Sequence, residues 1–256
     1  MLKKTASIAI LAALTLSAPA VRAEMIFLNK GVQGEGNKGA SFRPWTDASH
    51  TATADFVITA QSLVDDTNPL LPGAAGQAGT VYVGKDGKNG KVRGLGVQTA
   101  DGSGSKGISG RGAHGDEGLI FTYDAPVFLS SVSIQLGDID FGHGSDHKDD
   151  PVIFLQTAGS SVFDVVLTET DIVAAFSYIG DPKNKHGQVD FGSFIATTNL
   201  GPDTGLAAFA VRETNDHIYV YGTGSGGEVV VPEPATMALL VSGSVVLVRR
   251  RRRNRV

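Results

Sequence analysis

The sequence predicts an all-β fold, an antiparallel β-sandwich of jelly-roll-like form, over residues 24–231. Three observations predict it. Apolar and polar residues alternate with period two along much of the chain, the signature of half-buried strands. The 33 Gly and 10 Pro are too many for a largely helical protein. With 41% hydrophobic residues the chain can nevertheless bury a core rather than remain disordered. About eight to ten short strands separated by Gly-rich turns are expected, and that pattern points to two packed sheets.

Each element can be justified in turn. Ala54 to Ala60 and Thr80 to Val83 are the first strand candidates. Gly84 to Gly118 holds 12 Gly in 35 residues, so it is either a set of loops or a run of very short strands with tight turns. Leu119 to Tyr123 is a strand, and Asp124-Ala125-Pro126 reads as a turn-like break after it. From Val127 to Leu136 a second strand places Val132, Ile134 and Leu136 on one face. Val152 to Gln156 is a short apolar run, and Val162 to Thr168 alternates imperfectly. Thr168 and Asp171 have the spacing of a capping box, which predicts one or two helical turns over Ile172 to Phe176. Leu206 to Val211 and His217 to Tyr221 flank Glu213-Thr214-Asn215-Asp216 and read as a hairpin.

Charge is segregated along the chain. Nine of the 22 Lys and Arg lie in the two terminal segments, so residues 24–231 keep 13 basic against 25 acidic side chains. A body this acidic repels phosphate backbones, which argues against a nucleic-acid partner. The absence of Cys excludes disulfides, thiolate metal sites and a cysteine nucleophile.

The termini carry addresses. Lys3 and Lys4 precede an 11-residue apolar run, Ala6 to Leu16, followed by small residues up to Ala23. This is the three-part order of a signal peptide over residues 1–23, with signal peptidase cleaving after Ala23. At the other end stand Pro232, Glu233 and Pro234, then a 14-residue apolar stretch from Ala235 to Val248, then Arg249, Arg250, Arg251, Arg252 and Arg253. A helix over 235–248 is about 21 Å long, short of a roughly 30 Å hydrocarbon core unless the arginines snorkel and the bilayer thins. The arginine cluster places the body on the far side of the membrane, as the leader does.

The order Val-Pro-Glu-Pro-Ala-Thr, short apolar helix, terminal arginine cluster over residues 231–256 resembles the PEP-CTERM sorting signal. The resemblance implies export across the inner membrane of a Gram-negative bacterium that makes exopolysaccharide. It further implies transient anchoring by the C-terminal helix, processing by an exosortase, and release to the cell surface or matrix. The order Gly94-Leu95-Gly96-Val97, Gly115 to Phe121, Pro126-Val127 and Val132-Ser133-Ile134 also resembles the all-β ectodomains that recur among such surface proteins.

Chemistry-bearing clusters are few. The densest runs from Gly137 to Asp150, where Asp138, Asp140, Asp146, Asp149 and Asp150 could supply oxygen ligands to calcium, with Asp116 and Glu117 joining if the loops meet. The register departs from an EF-hand, since the twelfth position is Asp149 rather than Glu. His143 and His147 are four apart but lie among glycines, where a zinc-binding helix is not expected. No Ser stands in a nucleophile elbow, and nothing marks two of the many acids as a glycosidase pair. Trp45, Tyr82, Tyr123, Tyr178, Tyr219 and Tyr221 are flat rings of the kind that stack on sugars, with Tyr219 and Tyr221 expected on one strand face. The expected function is therefore a non-catalytic surface or matrix protein associated with exopolysaccharide. The alternative is a secreted polysaccharide-active hydrolase on the same sandwich.

Overall fold

A computed structural model of the chain describes residues 24–65, 67–71, 79–84, 93–99, 107–110, 117–141, 149–201 and 203–225. The leader with Ala23, the sorting segment with Pro232, Glu233 and Pro234, the 235–248 helix, Arg249 to Arg253, the acids Asp116 and Asp146, and the imidazoles His143 and His147 lie outside those residues. Among the described residues no helix is long and apolar enough to cross a membrane.

Among the described residues fifteen strands form two antiparallel sheets. They are β1 (Glu24–Phe27), β2 (Gly36–Gly39), β3 (Ser41–Phe42), β4 (Phe56–Gln61), β5 (Thr80–Val83), β6 (Leu95–Gln98), β7 (Ile108–Ser109), β8 (Gly118–Phe128), β9 (Val132–Gly137), β10 (Pro151–Thr157), β11 (Val165–Leu167), β12 (Phe176–Tyr178), β13 (His186–Asp190), β14 (Gly205–Glu213) and β15 (His217–Ser225). The nine-stranded sheet runs β12-β13-β9-β15-β6-β5-β2, and β1 and β7 also pair with β15. The six-stranded sheet runs β11-β10-β14-β8-β4-β3. The inward-facing rows of both sheets, with Ile58, Phe121, Ile153 and Phe209 on one side and Val97, Ile134, Leu136 and Val220 on the other, meet in one core. Phe121 stacks on Phe209 at 4.5 Å, and Phe191 meets Phe209 edge-on at 5.1 Å.

The six-stranded sheet is covered on its outer face too around β10 and β14, which is why Val152 to Gln156 shows no alternation. Its outer face carries Ile120, Phe154, Phe163, Ala208 and Ala210 as a second cluster, with Leu70 and Val152 packed against it. The predicted short helix is present as α1 (Glu169–Ala175). The Asp171 carboxylate accepts the Thr168 N–H at 2.9 Å and its hydroxyl at 3.0 Å. The Gly84–Gly118 region contributes β6 and β7, so part of it is a short-strand region.

Three expectations need correction. The first is the break at Asp124-Ala125-Pro126, because β8 runs through it. Arg43 grips the Asp124 carboxylate with both terminal nitrogens at 2.6 and 2.7 Å, which occupies the group that would have closed a turn. Pro126 falls where the β8–β14 register shifts, so its missing N–H costs no ladder bond. The second is the single strand from Val127 to Leu136. The chain turns at Leu129–Ser131, which separates β8 from β9. The third concerns Leu206–Val211 and His217–Tyr221, which are not a hairpin. β14 pairs with β8 and β10, β15 pairs with β9, β6, β7 and β1, and the short connection crosses from one sheet to the other.

β15 organises the larger sheet. One edge pairs with β9, and the other is shared in succession by β7, β6 and β1. Glu24 lies opposite Ser225, so the first and last described residues are neighbours at one end of the sandwich. His217, at the other end of β15, is about 27 Å away at roughly 3.3 Å per residue.

Candidate functional site

Among the described residues two regions collect chemistry-bearing side chains. The first is the end of the sandwich remote from Glu24 and Ser225. Strand parity brings acids inward there. In β14, Phe209 and Val211 face the core, so Glu213 does too. Leu119 and Phe121 of β8 set the same parity for Glu117, and Ile153 of β10 sets it for Asp149. Glu117 and Glu213 are fully buried and Asp149 is 2% exposed.

Each acid spends one oxygen and keeps another without a partner. Glu213 Oε1 accepts the amides of Asp150 at 2.8 Å, Asn215 at 2.9 Å and Asp216 at 3.2 Å, which staples the crossover between the sheets. Its Oε2 is buried and unbonded. Asp149 Oδ2 accepts the Asp140 amide, and the Asp149 amide donates to the Asp140 carbonyl at 3.0 Å. Asp149 Oδ1 has no partner. Glu117 Oε2 accepts the Ser109 amide at 2.9 Å, which leaves Oε1 unbonded.

Electrostatics follow from burial. Desolvation pushes Asp149 up to about 8, with the neighbouring Glu213 adding repulsion. It raises Glu213 as well, against three opposing amide bonds. Glu117 is pushed up to about 8 by desolvation, partly offset by Ser109. His217 stands between Asp138 (Nε2 to Oδ2 3.5 Å) and Asp216 (Nδ1 to Oδ1 2.9 Å), and the Asp138 bond first, then Asp216, holds it more basic than usual against partial burial. Lys185 Nζ is 2.8 Å from Asp140 Oδ2, which raises the lysine. With both ring nitrogens of His217 facing carboxylates, neither is left to activate a serine hydroxyl.

Of the candidate ligands, Asp138, Asp140, Asp149 and Asp150 lie at this end of the sandwich, with Asp149 bonded to the Asp140 amide and Glu213 to the Asp150 amide, while Glu117 is turned to Ser109. Among the described residues no three acids or imidazoles are gathered as a ready metal cage. Glu213, Asp216, His217 and Lys185 belong to this end without any motif to mark them in the sequence. Strand parity is the signal that finds Glu213, since it continues the apolar row Phe209, Val211.

The second region is the outer face of the nine-stranded sheet. Gln188 lies opposite Gln135, Gln135 opposite Gly222, and Gly222 opposite Phe27. Directly opposed residues share a face, so these positions form one row across four strands, about 14 Å long. A register shift between Val220 and Gly222 makes Tyr221 the extra residue of a bulge at this row. Phe27 is 40% exposed and meets Tyr221 edge-on at 5.8 Å. Asn29 donates to the Tyr221 hydroxyl at 2.8 Å, and Gln188 is fixed by Asp190 at 2.7 Å. Tyr219, expected beside Tyr221 as a sugar platform, is instead 1% exposed, with Arg93 5.5 Å over its ring. Tyr123 is core, and Trp45 stacks on His50 at 5.1 Å.

Comparison with protein families matches residues 230–253 to the PEP-CTERM protein-sorting motif. The chain carries a PEP-CTERM sorting signal. The signal implies export and sorting to the cell surface, with an exosortase as the processing enzyme. No curated protein and no solved structure matches the chain.

Proposed function

We propose that the protein is an exported surface or matrix protein whose sandwich binds exopolysaccharide and does not cleave it. The leader is removed after Ala23 and the exosortase removes the PEP-CTERM tail. The observation that carries the binding reading is the row Gln188, Gln135, Tyr221 and Phe27. Rings with an apolar face and amides with paired donors and acceptors, on one face of a hydrogen-bonded sheet, suit the alternating C–H faces and hydroxyls of a sugar chain. The hydrolase alternative needs two carboxylates opposite each other in an open cleft. The acids whose proton affinity is shifted most, Glu117 and Asp149, are instead almost sealed from solvent.

The test is binding of the exported protein to a panel of bacterial polysaccharides, with released reducing ends assayed in the same mixtures. Saturable binding without release is expected. Phe27→Ala combined with Tyr221→Ala should weaken it about tenfold, roughly 1.4 kcal/mol. Sugar release that survives repurification would overturn the non-catalytic reading, and undiminished binding by the double variant would move the site elsewhere. Intact mass of the surface-released protein should lack both residues 1–23 and the arginine cluster.

A further inference from the structure

We propose that Asp149 and Glu213 are the anionic pair of a calcium site at the end of the sandwich remote from the chain termini. This stands apart from the polysaccharide reading, on different residues and a different face.

Two buried carboxylate oxygens at this end are orphaned. Asp149 Oδ1 and Glu213 Oε2 belong to side chains 2% and 0% exposed, and neither has a hydrogen-bond partner among the described residues. A buried carboxylate oxygen left unbonded is costly, and two such groups close enough to repel each other are costlier. β10 and β14 are adjacent strands, with Pro151 opposite Glu213, so Asp149 and Glu213 approach from the same inward face. The amide of Asp150 donates to the other oxygen of Glu213, which ties the two acids to one backbone segment.

The surrounding charge favours a cation. Asp140 and Asp138 face this end from the close of β9, Asp150 from the start of β10, and Asp216 from the crossover. Lys185 acts on Asp149, but its ammonium is bonded to Asp140. His217 is held by Asp216 and Asp138. Among the described residues, the positive groups Lys185 and His217 are thus engaged with other acids, and the Asp149–Glu213 pair keeps its two free oxygens. Oxygen donors without thiolate or a free imidazole select a hard cation. Calcium fits better than magnesium, because it accepts irregular geometry and fills its shell with main-chain carbonyls and water, whereas magnesium demands a near-ideal octahedron. Two carboxylates rather than three or four place the affinity in the weak, extracellular class, about 0.1–1 mM.

Thermal unfolding of the purified full chain in about 5 mM calcium and in chelator tests the site, with titration calorimetry on the same sample. Calcium should raise Tm by roughly 2–5 °C and give a saturating binding heat. Glu213→Gln and Asp149→Asn should each lose the shift while keeping a cooperative transition in chelator. Asp171→Asn, on α1, should keep it. Absence of both shift and heat in the wild type would overturn the proposal. So would a shift that survives in both site variants, or an equal shift from magnesium, which would mark general screening. If one variant fails to fold, the other variant and the wild-type calorimetry still decide.

Discussion

His186 is an imidazole held where it gains nothing from charge. It is 8% exposed, its Nε2 has no partner, and its ring meets Tyr221 edge-on at 4.8 Å. Desolvation lowers its proton affinity below the ordinary 6.5. A depressed value in the folded state means that the unfolded chain binds the proton more readily. The stability tied to the neutral ring is therefore fully present above about pH 6.5 and lost as pH falls through the lower folded value. His186→Phe keeps a flat ring against Tyr221 and removes the titration. The variant should show a shallower decline of Tm as pH falls below about 6.5 than the wild type. Equal acid limbs in the two proteins would show that burial does not keep this ring neutral. Glu213 teaches the same lesson with opposite sign. A charged residue on the apolar parity of a strand is a buried acid, and the run Phe209, Val211, Glu213 carries that information in its alternation alone.

At the scale of elements, close approach decides where glycine is required. Gly94 enters β6 beside β15, and a Cβ there would lie 2.1 Å from the Val220 carbonyl oxygen and 2.6 Å from Tyr221 Cα. Both contacts are backbone, so no side chain can rotate away. Gly94→Ala should cost about 2–4 kcal/mol, read as a lower midpoint in urea with an unchanged slope. It should also disturb the row proposed to bind polysaccharide, because Tyr221 sits on the displaced backbone. The strands themselves were legible from alternation. Thr80–Val83, the inward row Val132, Ile134 and Leu136, and the capping box at Thr168 and Asp171 follow from local pattern alone. The pairing was not legible. Two strands joined by a short polar connection read as a hairpin, yet whether they share a sheet depends on partners far away in sequence. For β14 and β15 the deciding features are the Glu213 staple and the separate edges offered by β8 and β9. Pro126 misled for a related reason, since the cost of a missing N–H depends on whether the opposite strand asks for it.

For the whole molecule, β15 lies between β9 and the edge shared by β1, β6 and β7, so the larger sheet cannot be completed until the end of the body has been made. The β1–β15 ladder joins residues about 200 apart, and such contacts form late because the loop they close is long. A chain threaded across a membrane from its N-terminus presents β1 first and its partner last. The fold is therefore expected to assemble after translocation, with Glu24 and Ser225 side by side at one end of the sandwich. The acidic end, with Asp149 and Glu213, then projects about 27 Å beyond that junction. Truncation separates these roles. A chain ending at residue 231 keeps every described strand and should unfold cooperatively with the Tm of the full-length protein. A chain ending at residue 216 loses β15 and buries neither Ile218 nor Val220. It also strands β1, β6 and β7 without their common partner, and should show no cooperative transition by calorimetry. Cooperative unfolding of the 216 chain would mean that the smaller sheet folds alone. Loss of cooperativity in the 231 chain would mean that the sorting segment is part of the fold rather than an address attached to it.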